Sequence, residues 1–84
     1  MRFFVDARFT PGADPEPRME DEKRRVRELR DEGFIEQLFR RLDGTGAYLV
    51  VTEDSADAVH ARLDTLPFVE IGIMRMQVDE IETL

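Results

Sequence analysis

Phe34-Ile35-Glu36-Gln37-Leu38-Phe39-Arg40-Arg41-Leu42, then Asp43-Gly44-Thr45-Gly46, then Ala47-Tyr48-Leu49-Val50-Val51-Thr52 is the stretch that decides the fold. The two Gly-containing pairs at its centre form a hairpin signal, because glycine supplies the positive φ that tight turns require. The arms on either side are extended. In the first, Phe34, Leu38 and Leu42 fall on one face and Ile35 and Phe39 on the other, so apolar side chains stand on both sides of the strand and both sides call for cover.

Toward the N-terminus, Arg2 to Phe9 alternates, with Phe3, Val5, Ala7 and Phe9 on one side and Arg2, Phe4, Asp6 and Arg8 on the other. Thr10 to Pro17 collects three prolines and a glycine and breaks that strand. Asp14 and Pro15 suit an N-cap and a first helical position, with Pro17 leaving the start open by several residues. Met19, Glu22, Val26, Leu29 and Gly33 then follow helical spacing, and Gly33 is placed to stop the helix in a left-handed conformation. Beyond the hairpin, Ser55 is an N-cap for a second helix with Ala56, Val59, Leu63 and Leu66 inward and Pro67 past its end. A fourth strand is expected from Val69 or Glu70 to Val78, where Ile71 and Ile73 oppose Met74, Met76 and Val78. The order βαββαβ, with short connections and right-handed crossovers, gives an α+β ferredoxin-like fold: an antiparallel four-stranded sheet with two helices on one face. Two helices cover one face only. The other is expected to meet a second subunit or a ligand.

Composition narrows the function classes. The chain has 84 residues and no cysteine, so it reads as one domain, 1–84, without a disulfide framework or thiolate metal site. Its 19 acidic and 12 basic residues give a formal charge of −7, which argues against a nucleic-acid partner. On the first helix the charges interleave, with Glu20 and Arg24, Asp21 and Arg25, and Arg27 and Asp31 four apart as in a solvated, charge-laced face. No apolar run approaches a membrane span, so no membrane partner and a cytoplasmic location are expected.

Several side chains are candidates for chemistry. Glu22 lies one turn from both Met19 and Val26, so its carboxylate is expected to face the sheet, where desolvation would make it a usable base. The alternative is a slightly rotated helix with Glu22 at the rim, paired to Arg18 or Arg25. Arg40 shares a strand face with Glu36 and Leu38, so it either bridges to Glu36 or offers its planar fork to an anionic substrate. His60, the only histidine, borders the inward stripe of the second helix as a proton shuttle, a donor to substrate or a plain rim residue. Tyr48 either presents a phenol to a pocket or fills an interface, and Arg75 is a secondary anion contact or a rim salt bridge. Met74 and Met76 read as adaptable filler.

Asp21-Glu22-Lys23, Leu38-Phe39-Arg40 and Ala58-Val59-His60 with Leu63 and Leu66-Pro67 resemble the muconolactone isomerase family, in which the second block reads Leu-Trp-Arg. The spacing between these blocks agrees almost without gaps. The resemblance implies a dimeric α/β barrel, a homodimer able to assemble further, and an allylic proton shift in a small, anionic unsaturated lactone during aromatic-acid degradation. Glu22 and His60 would be catalytic, with Arg40, Tyr48 and Arg75 binding substrate. No metal or organic cofactor is implied, because a base and oxyanion donors suffice. Ala47-Tyr48-Leu49-Val50 lacks the family's asparagine, and the sequence stops after Leu84 without the family's short C-terminal tail. Those departures keep open a non-catalytic dimeric module that binds a metabolite or steadies a partner enzyme, and a cyclase or isomerase of a biosynthetic intermediate.

Overall fold

Alternating residues become strands where both partners of a ladder can bury the same face, and the computed structural model, which describes all 84 residues, follows that rule at its centre. Strand β1 (Arg2–Phe9) buries Phe3, Val5 and Ala7 on the side toward the helices. It lies between β3 (Gly46–Thr52) and β4 (Met74–Ile81), and β2 (Ile35–Arg40) pairs outside β3. The order is β2-β3-β1-β4 with every neighbour antiparallel, the ferredoxin-like topology expected from the sequence.

Helix α1 (Met19–Asp31) follows a short 3-10 turn at Glu16–Arg18, so the helix starts later than Asp14 and Pro15 suggested. Asp14 instead accepts the Glu16 N–H at 3.2 Å and caps that turn. Gly33, at φ 84°, reverses the chain after α1. On the exposed face of α1 the ion pairs are three residues apart, Arg18 with Asp21, Lys23 with Glu20, Arg24 with Asp21 and Arg25 with Glu28, in place of the four-residue pairs expected. Helix α2 (Ala56–Leu63) is capped by the Ser55 hydroxyl, which accepts the Ala58 N–H, and it buries Val59 and Leu63 but not Ala56.

Two further differences bear on the site. Residues Pro67–Glu70 form a short helix, α3, so the last strand begins at Met74 and not at Val69 or Glu70. Helix α2 has already ended at Leu63, so Leu66 belongs to the turn before α3 and Pro67 takes the first position of α3, while Ile71 and Ile73 belong to the connection that follows. In β2, Ile35 pairs with Val51 but Gln37 pairs with Val50, which leaves Glu36 as a bulge. The extra residue puts Ile35 and Leu38 on the same inner face and leaves the Glu36 carboxylate on the open one, where it binds Arg2 at 2.8 Å and Thr52. Leu42, expected on a strand face, is fully exposed in the hairpin.

Phe3, Val5, Leu29, Val51, Val59 and Leu63, each at most 1 % exposed, close-pack one end of the space between helices and sheet. The hairpin end is not filled. No helix is long and apolar enough to cross a membrane.

Candidate active site

The unfilled end is a cavity of about 460 Å³. Its floor is the hairpin end of the sheet, Ala7, Ala47, Leu49, Leu38 and, on β4, Met74 and Met76; its roof is the first half of α1. Eleven of its sixteen lining residues are apolar. Phe9 and Phe68, with ring centroids 5.5 Å apart and planes tilted by 57°, both line it.

Glu22 hangs from the roof and is 8 % exposed. Its Oε1 accepts the backbone N–H of Phe68 at 2.9 Å, a donor that α3 supplies in its first turn. Oε2 has no partner in the chain and is not sealed from the cavity, so one oxygen is anchored and the other is available. Burial pushes the carboxyl above its ordinary value of 4.5, while the Phe68 N–H and the Arg18 charge pull it partly back. Neither arginine proposed as an alternative partner pairs with it: Arg18 binds Asp21, and Arg25 binds Glu28 and Glu32.

Arg40 ends β2 opposite Ala47 and lines the same cavity. The bulge takes Glu36 away to Arg2, so the anticipated Arg40 bridge to Glu36 is absent and its guanidinium is left without a carboxylate. Lys23 joins it at the exposed edge, held only by Glu20 at 3.8 Å. The arrangement therefore sets a buried carboxylate under the helix and two cations at the rim, Arg40 unpaired and Lys23 loosely held by Glu20.

The other sequence candidates do not reach this cavity. His60 is exposed on α2, because Val59 takes the inward position and the next residue is rotated by about 100° around the helix axis. Tyr48 faces the open side of the sheet, stacks on Phe4 with ring centroids 5.5 Å apart, and accepts a hydrogen bond from Arg41. Arg75 sits opposite Arg8 on that same open side, because Met74 and Met76 take the inward positions of β4. Residues that pattern-reading did not assign to the site are Lys23, adjacent to the recognised carboxylate, and Phe68, whose contribution is a main-chain N–H. For the second, the only sequence signal is Pro67 acting as a helix start. No cluster of three or more His, Asp or Glu side chains is arranged to hold a metal ion.

The muconolactone delta-isomerase model matches residues 1–83. The chain belongs to the muconolactone delta-isomerase family. A solved muconolactone isomerase superposes with a TM-score of 0.75 at 28 % identity, covering 96 % of this chain and 88 % of that one. The 5-chloro-2-hydroxyhydroquinone dehydrochlorinase TftG of Burkholderia phenoliruptrix AC1100, solved in complex with 2,5-dihydroxybenzoquinone, superposes with a TM-score of 0.77 at 22 % identity. It covers 98 % of this chain and 94 % of its own, and shares the fold. A search of curated proteins finds no match. Membership in this family makes the protein isomerase-like, and the fold predicted from the sequence is the family's own.

Proposed function

We propose that the protein is a cofactor-free isomerase that moves a proton within a small unsaturated lactone or related anionic carbonyl compound. Glu22 Oε2 removes a proton from a carbon next to the conjugated system, which leaves a dienolate. The protonated Glu22 returns that proton at the far carbon, and the double bond is transposed with no net gain or loss of atoms. Arg40 balances the negative charge of the substrate, and Lys23 supplements it at the rim. A desolvated carboxylate with a raised pKa is a stronger base than an exposed one, and the Phe68 N–H holds it in one orientation. The observation that carries the reading is this carboxylate, anchored through one oxygen in an open apolar cavity. A scaffold with no ligand would fill such a space with side chains.

We further propose a homodimer in which the open sheet face of one copy meets that of the other. Phe4, Tyr48 and Phe39 lie on that face, and Phe39 is 50 % exposed. Light scattering reads the stoichiometry.

The test of the reaction is to incubate the protein with muconolactone in deuterated buffer and follow enol-lactone formation and deuterium uptake by NMR. Glu22→Gln is expected to lose turnover by roughly 10²-fold or more. Equal turnover by wild type and Glu22→Gln refutes the assignment.

A further inference from the structure

The cavity has room for more than a one-ring compound. At about 460 Å³, and open to solvent on one side, it offers roughly three times the volume of the closed ~150 Å³ apolar cavity that holds a single benzene ring. A one-ring lactone fits beneath Glu22 and leaves part of the apolar wall free for a larger body. Three of the chain's four methionines, Met19, Met74 and Met76, line this one space. Unbranched thioether chains mould to flat apolar surfaces and approach aromatic rings favourably. Polarity is distributed unevenly: Glu22 is buried in the roof, and Lys23 and Arg40 are exposed at the edge.

From this geometry we infer that the site takes an anion with an apolar body about two to three rings in extent. Its charge lies at the Lys23–Arg40 edge and its rings lie against Met19, Met74, Met76 and Phe68. The inference rests on the cavity being the reacting site proposed above, and it makes the three methionines the residues that set substrate size.

Binding of inert aromatic carboxylates to the full-length protein tests it by calorimetry. Benzoate, 2-naphthoate and 9-anthracenecarboxylate carry no carbon-bound proton acidic enough for Glu22 to remove, so the result is independent of whether isomerisation occurs. The dissociation constant is expected to fall on the order of tenfold from benzoate to 2-naphthoate, from the apolar area added by the second ring. It should fall again or hold for the three-ring acid, and 2-naphthamide should bind more weakly than 2-naphthoate. Met76→Phe, or Met19→Phe if the first does not fold, should lose the three-ring acid and retain benzoate. Absence of binding by all three acids, equal binding of benzoate and 2-naphthoate, or equal binding of the amide and the acid overturns the inference. Loss of turnover in Glu22→Gln alongside a flat size series would leave the isomerase reading standing and remove this one.

Discussion

Replacing Glu22 by glutamine should make the protein more stable at neutral pH, and the gain should depend on pH in a direction fixed by the structure. The folded state holds the proton more tightly than the unfolded chain, because burial raises the carboxyl above its ordinary value of 4.5. Wild-type stability is therefore greatest below that value, falls as pH rises from the unfolded pKa through the raised folded one, and is level above it. Every tenfold change in proton affinity is worth about 1.4 kcal/mol. Glutamine keeps a carbonyl oxygen for the Phe68 N–H and carries no charge to desolvate, so its stability lacks this slope. In a domain of this size a difference of only about 1 kcal/mol moves Tm by roughly 4–8 °C. Thermal unfolding of both proteins from pH 4 to pH 8 is the assay. The Tm advantage of Glu22→Gln over wild type should widen with pH and level off. A difference that is flat across the range, or that shrinks as pH rises, would show that the folded protein does not hold Glu22 in a desolvated site.

Other changes probe the frame around the cavity. A Cβ at position 46 would sit 1.9 Å from the Ala7 carbonyl oxygen, so Gly46→Ala must part β1 from β3; a loss of about 3 kcal/mol or more is expected in urea unfolding. Because His60 is exposed outside the cavity, His60→Gln should retain activity within about twofold and leave its pH profile in place. Asp43 accepts from the Thr45 hydroxyl and backbone N–H and from Arg41, which hold its carboxyl down at about 2. Its contribution to the hairpin should be present above its ordinary value of 3.8 and vanish as pH falls through about 2, as carbon-detected NMR titration would show.

Most of the architecture was written in alternation. Phe3, Val5 and Ala7 declare an inner face for β1, Met74, Met76 and Val78 do so for β4, and both faces are where the sequence put them. Glu22 was legible for the same reason, being one turn from Met19 and from Val26. What escaped the pattern was structure shorter than a period. Helix α3 spans four residues, too few to display a stripe, so Pro67 read only as a stop and the Phe68 N–H that holds Glu22 stayed hidden. His60 stands next to Val59, and one position on a helix is enough to turn a side chain from the core to water. Ion-pair spacing went to three because Arg18, Lys23, Arg24 and Arg25 reach their carboxylates one residue sooner, a choice between two neighbouring rows of the same helix surface.

The supernumerary residue in β2 works as a parity switch for the strand's whole remaining length. Were Glu36 to take a regular place in the ladder, alternation from Ile35 would bring Phe39 inward and turn Arg40 out, so the hollow would gain an aromatic plug and lose its cation. It is the pairing of Gln37 with Val50, one residue late, that keeps the chamber receptive while touching none of its walls. In a fold this small, a slip of one residue in the pairing at the sheet's margin can decide whether there is a place for a substrate at all.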